Sequence, residues 1–177
     1  MTLTLGIDVA KAKLDVALRL PTGQIRSTII ANTDAGFVEL QAWLAPHDRT
    51  ALHVCLEATG VYWEAVAETL AEAGFTVSVV NPARIKAYGA ARQVRTKTDA
   101  VDARLIADFC ASQHPPAWTP PPPAQRELRA WVARREALVV MRTQEQNRLP
   151  GAPPGVRPGI EPLIAHLDRV IPGVGAA

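Results

Sequence analysis

Leu3 to Leu20 reads LTLGIDVAKAKLDVALRL, and the spacing within it decides the fold. Leu3, Leu5, Ile7 and Val9 alternate along the chain as a strand requires. Leu14 to Leu18 is a second apolar run, and Pro21-Thr22-Gly23 turns it into a third at Gln24 to Ala31, so the chain opens as a three-strand meander. Asn32 to Asp34 then supply helix-start chemistry for Ala35–Leu44, and Pro46 stops that helix. Leu52–Leu56 reads as a fourth strand, Val61–Ala73 as a helix ended by Gly74, and Phe75–Val80 as a fifth strand ended by Asn81-Pro82. Three strands followed by alternating helix and strand predict an α/β domain with a mixed sheet.

Prolines divide the rest. Six of the fifteen fall between His114 and Ala124 and six more after Arg148, and neither stretch is expected to be continuous helix or central strand. The expected organisation is a compact domain at 1–112, an extended connector at 113–124, one long Arg-rich helix at 125–149, and a loosely specified tail at 150–177.

At 177 residues, 48% hydrophobic and 20% charged, the chain is long enough to bury a core without disulfides or a structural metal, and pervasive disorder is excluded. Cys55 and Cys110 match no metal or disulfide spacing, which fits a reducing cytosol. Asp8 and Lys11 interrupt the start before an apolar run could form a signal peptide, and no stretch is long enough for a membrane span. The expectation is a cytoplasmic protein with no membrane partner.

Charge is uneven. Residues 1–80 carry five Lys/Arg against nine Asp/Glu, whereas residues 81–149 carry twelve against six. A basic middle suggests a polyanion approaching one face, and the plainer reading is a pair of solvated Arg-rich helices.

Four acidic residues are poorly explained by structure alone. Asp8 ends the first strand and Glu57 the fourth, and a sheet is a costly place for charge. Carboxylates at the C-terminal ends of neighbouring parallel strands converge on the crevice where open α/β sheets bind ligands. Asp99 and Asp102, spaced i, i+3 at a helix start, share one face. Such a set would repel itself unless a divalent cation sat within it. Each acid also has a plainer role: Asp99 and Asp102 as first-turn acids, Asp8 as a turn cap, Glu57 as partner of a surface arginine.

At these residues the sequence resembles a known family. GIDVAKAKLDVAL (Gly6–Leu18), EATGVYWEAVAETLAEAGFTVSVVNP (Glu57–Pro82), RTKTDAVDARLIADF (Arg95–Phe109) and LRAWVARREALVVMRTQEQNRL (Leu128–Leu149) are similar to the N-terminal half of the insertion-sequence-110 family of DEDD transposases. The resemblance implies an RNase H-like, RuvC-type fold with flanking helices and a metal-binding, catalytic tetrad at Asp8, Glu57, Asp99 and Asp102. It implies a coiled-coil-like helix at Leu128–Leu149, a homo-oligomer, and DNA and a structured bridging RNA as partners. It also implies that the sequence, whose Val170–Ala177 resembles only the opening of the family's second domain, stops short of that domain's nucleophilic serine; Ser27, Ser78 and Ser112 do not match its context.

Such a tetrad would hold Mg²⁺ or Mn²⁺ for phosphodiester cleavage and strand exchange. Arg84, Lys86, Arg92, Arg95, Lys97 and Arg104 surround the aspartate pair and suit sequence-independent phosphate contacts. Leu128, Trp131, Val132, Leu138, Val139 and Leu149 form an apolar stripe interrupted by Arg135 and Arg142, for which packing on the chain's own domain is the alternative to self-association. Rival functions are an actin-like or sugar-kinase-like ATPase, whose phosphate loop is not matched by Val9-Ala10-Lys11-Ala12, a stand-alone Holliday-junction-type nuclease, and a non-catalytic nucleic-acid-binding remnant.

Overall fold

The computed structural model describes residues 3–92 and 99–175, with the backbone alone for 99–101. It divides into two compact units, residues 1–120 and 121–177.

In the first unit β1 (Leu3–Val9), β2 (Lys13–Arg19) and β3 (Ile25–Ala31) form the antiparallel meander. β4 (Leu52–Glu57) joins the other edge of β1 in parallel, and β5 (Thr76–Val80) joins β4 in parallel. The resulting order, β3-β2-β1-β4-β5, makes β1 the centre of a mixed sheet with helices on both faces, and this is the RNase H-like arrangement. β1 is buried on both sides, so Thr4 and Gly6 are as enclosed as Leu5 and Ile7.

α1 (Asp34–Leu44) and α2 (Glu64–Glu72) cover one face, where Leu5, Ile7, Val54 and Leu56 pack against Phe37, Leu40, Val66 and Leu70. Thr33 caps α1 by accepting the Gly36 N–H at 3.2 Å. α2 ends in a Schellman turn: Gly74 adopts φ +87°, the Phe75 N–H reaches the Leu70 carbonyl and the Gly74 N–H that of Ala71. Its start falls at Glu64 rather than Val61, because Gly60 at φ +62° opens a turn that the Trp63 indole closes on the Gly60 carbonyl at 3.0 Å.

α3 (Pro82–Ala91) and α4 (Asp99–Gln113) belong to the other side. α3 is not among the elements the sequence predicts, since Asn81-Pro82 reads as a strand stop. The same dipeptide starts the helix, Asn81 accepting the Ala83 N–H at 2.8 Å while Pro82 needs no hydrogen bond at the first helical position.

The proline segment begins after Gln113, at the end of α4, and its first half belongs to the sheet domain. The Ser78 hydroxyl lies 3.0 and 2.8 Å from the Pro115 and Pro116 carbonyls, and the Trp118 N–H donates to Val77 at 2.7 Å. Trp118 meets Trp63 edge-on, centroids 5.6 Å apart. A proline-rich segment thus covers the outer edge of β5, one way of protecting an edge strand.

In the second unit α5 (Pro123–Arg148) starts on Pro123 at its first position. The proline-rich stretch after Arg148 is not one continuous helix, but it contains α6 (Arg157–Val170), which runs through Pro162. Pro158 sits in the first turn, where N–H groups are unused, so only Pro162 removes a helical bond. Leu167 and Ile171 offset that loss by burying themselves on Leu138, and Arg142 reaches Asp168 at 3.1 Å. Arg142 therefore interrupts the apolar stripe to pair within its own unit.

Candidate active site

Neighbouring strands bring two of the expected acids together. Ile7 pairs with Leu56 across the parallel β1–β4 ladder, so the next residues, Asp8 and Glu57, stand side by side at the C-terminal ends. Alternation puts Asp8 on the face of Thr4 and Gly6, and Glu57 on the face of Cys55, which is the α4 face. Both are half-buried. The Thr59 hydroxyl donates to Glu57 Oε1 at 2.7 Å and fixes that carboxylate.

α4 lies directly on β1 at this face. A β-carbon on Gly6 would stand 2.1 Å from the Ala103 carbonyl oxygen and 2.3 Å from the Ala107 nitrogen, so only glycine admits the helix. The Thr4 hydroxyl donates to the Ala107 carbonyl at 2.9 Å and fixes the register. Going from Thr4 towards Asp8, the helix runs back from Ala107 towards its first turn, which carries Asp102. Asp102 is half-buried and one turn before Ile106, which packs with Cys55 on β4, so it lies on the stripe that heads towards Glu57.

Asp99 is the first residue of α4, and its side chain lies outside the described residues. Among the described residues no three His, Cys, Asp or Glu side chains form a group able to hold an ion. Asp8, Glu57 and Asp102 are therefore aligned on one side of the sheet without by themselves closing a coordination set.

Asp15 and Lys13 do not stand out in the sequence as site residues. Asp15 pairs across the β1–β2 ladder with Asp8, is 5% exposed, and holds the Lys13 ammonium at 2.8 Å. The signal was present in the alternation Lys13-Asp15-Ala17, which puts two charged residues on the inner face of a strand whose other face is Leu14, Val16 and Leu18.

The basic residues separate. Lys86 and Arg104 are exposed. Arg84 lies over the Phe109 ring at 5.5 Å. Arg92 lies over Tyr88 at 5.1 Å and bonds Asp108 at 3.1 Å; Tyr88 donates to the same carboxylate at 2.9 Å, and Arg19 approaches it at 3.6 Å. Arg92 is thus half committed to its own domain. Arg95 and Lys97 lie outside the described residues.

Beneath the site Cys55 and Cys110 are buried free thiols. The Cys110 thiol is pushed far above its usual range, first by its hydrogen bond with Cys55, then by burial and by the charge Cys55 would carry. Burial, and then His114, hold His53 below the ordinary histidine range. His53 Nε2 is 2.7 Å from Ser78 Oγ.

The sheet topology defines an RNase H-like α/β protein. The sequence profile of the DEDD transposases of insertion sequence 110, described as Transposase, matches residues 5–152, and the chain belongs to that family. The pilin gene-inverting proteins of Moraxella lacunata and Moraxella bovis are each 35% identical to it over 148 residues, 80% of this chain and 46% of theirs. The chain thus spans about half the length of the curated relatives it matches. Among solved structures, Thermus thermophilus RuvC in complex with a Holliday junction substrate superposes with a TM-score of 0.45 at 15% identity, covering 64% of this chain and 96% of that one. A ROK family glucokinase from Streptomyces griseus gives 0.35 at 21% identity, covering 51% and 36%. No described helix is long and apolar enough to cross a membrane.

Proposed function

We propose that this chain carries the metal-binding part of a transposase active site that cleaves and exchanges DNA strands under the guidance of a structured RNA. What supports the reading is that Asp8 and Glu57 end adjacent parallel strands, with Gly6 letting α4, the helix that bears Asp99 and Asp102, come down onto β1.

Four carboxylates are hard oxygen donors of the kind Mg²⁺ and Mn²⁺ take, and the N-terminal end of α4 adds a positive dipole that helps hold them together. Asp8, Glu57, Asp99 and Asp102 would hold the metal, which when bound supplies charge stabilisation at the attacking and leaving oxygens of a phosphodiester. The protein's own contribution is to set the donors: β1 and β4 fix two by ladder register, Thr59 orients Glu57, and α4 delivers the others. Lys86 and Arg104, with Arg84, Arg92, Arg95 and Lys97, hold the nucleic-acid backbone beside the acids. The chain works as a homo-oligomer through α5, in the cytoplasm, where Cys55 and Cys110 stay reduced.

The test is calorimetric titration of the full chain with Mn²⁺, paired with Asp8→Asn. Asp8→Asn is expected to lose most of the Mn²⁺ affinity while melting at the same temperature as the parent in metal-free buffer, because removing one of a set of repelling carboxylates leaves the fold intact. Unchanged Mn²⁺ binding in the variant, or a large loss of stability without metal, would assign Asp8 a structural role instead.

A further inference from the structure

We propose that Lys13 is the phosphate-contacting cation of this site and that Asp15 is the residue that positions it. The inference rests on the function proposed above and adds to it a pair of residues outside the carboxylate tetrad.

Asp15 faces Asp8 directly across the antiparallel ladder, so the two side chains leave the sheet on the same face, Cβ atoms about 5 Å apart. That face lies against α4, because Gly6 and Ala17, the next pair along, sit beneath the helix and are fully buried. Arg19, further along the same face of β2, reaches Asp108 of α4 at 3.6 Å. Asp15 is therefore level with the first turn of the helix, beside the proposed metal donors.

The ion pair is asymmetric. The Asp15 side chain is 7% exposed and that of Lys13 40%, with 2.8 Å between Nζ and Oδ2. An ordinary surface pair exposes both partners and is worth little. Here the carboxylate is buried while the side chain of its cation stays partly exposed. The Lys13 carbonyl accepts the Ala10 N–H at 2.9 Å, which closes the β1–β2 turn just beyond Asp8 and places Lys13 at the outer end of the site.

An arriving phosphodiester would meet four carboxylates, whose repulsion a bound metal offsets only in part. An ammonium held at the rim supplies a second attraction for a non-bridging phosphate oxygen. Asp15 is set back from the solvent and already bonded to Lys13, so it serves as a holder.

The experiment measures Mn²⁺ affinity, and single-stranded oligonucleotide affinity at several salt concentrations in Mn²⁺, for the full chain and for Lys13→Gln, Lys13→Arg and Asp15→Asn. Lys13→Gln is expected to keep the Mn²⁺ affinity and to bind oligonucleotide about ten- to a hundredfold more weakly, the loss of one charge-assisted contact. Its log–log salt slope should fall by about 0.7, one phosphate's worth for a single strand. Lys13→Arg should recover most of the affinity, since it keeps the charge. Asp15→Asn should match Lys13→Gln, and a variant combining Lys13→Gln with Asp15→Asn, measured alongside, should be no worse than either, because holder and held act as one unit. Parental oligonucleotide affinity and slope in a folded Lys13→Gln would overturn the proposal, as would a loss that Lys13→Arg, folded, fails to recover. Failure of the underlying reading looks different: Asp8→Asn would then leave Mn²⁺ binding intact whatever Lys13 does.

Discussion

Gly6 of β1 and Ala103 of α4 are in backbone contact: a β-carbon at residue 6 would lie 2.1 Å from the Ala103 carbonyl oxygen. The atoms it would strike are main chain on both counts, Ala103 O and Ala107 N, so no side-chain rotation relieves the clash. The proposed carboxylate set depends on this contact, because α4 is the helix that carries Asp99 and Asp102.

Gly6→Ala should therefore separate helix from sheet. The expected loss is at least the ~1–3 kcal/mol typical of overpacked cores, read as a lower urea midpoint at unchanged slope. Mn²⁺ affinity should fall with it although no carboxylate has changed. A variant as stable as the parent would mean that α4 is free to rise without cost.

α6 packs on one face of α5 around Leu138, whereas Leu128, Trp131 and Val132 near the start of α5 are 62, 43 and 49% exposed. Self-association is expected to use these exposed apolar residues. Sedimentation velocity of the full chain over a concentration series should show a species larger than a monomer, and Leu128→Glu with Val132→Glu should return it to monomer with the fold unchanged. Equal monomeric masses for parent and variant would remove α5 from assembly.

Lys86 and Arg104 are exposed, whereas Arg92 is tied to Asp108 and Tyr88. Filter binding to duplex DNA at several salt concentrations should show the salt slope of Lys86→Ala and of Arg104→Ala reduced by about 0.9 each, one phosphate contact apiece. Arg92→Ala should in addition lower thermal stability, because it leaves Asp108 with one cation fewer. Tight ATP binding without nucleic-acid affinity would favour the kinase-like alternative.

His53 titrates below the ordinary histidine value of 6.5 because burial, and then His114, disfavour the charged ring. The unfolded chain then binds the proton first as pH falls. Stability contributed by neutral His53 is full above pH 6.5 and declines as the pH drops through that value towards the lower folded pKa. Thermal melts should show the parent losing stability over this window and His53→Asn, which keeps a donor for Ser78, losing less. Parallel curves would show that His53 is not the group responsible.

The local signals were legible in the residues. Alternation in Leu3–Val9, the Pro-Thr-Gly turn and the Gly74 stop yield the strands and their succession along the chain, and Asp8 and Glu57 stand out because charge at a strand end is costly. Those features act over a few residues, and a few residues suffice to read them. What the sequence could not decide depends on contacts between distant segments. Asn81-Pro82 stops a strand and starts a helix with the same chemistry, and only the packing of Ile85 beneath α4 selects the second use. Pro162 argues against a helix until Leu167 and Ile171 find Leu138 on another element, and burial then outweighs one lost hydrogen bond. Lys13 and Asp15 are two more charges in a row until ladder register sets Asp15 opposite Asp8 and α4 covers it. Sequence spacing determines which face of its own element a side chain takes, whereas tertiary packing decides what that face meets and so whether a charge is solvated, paired or part of a site.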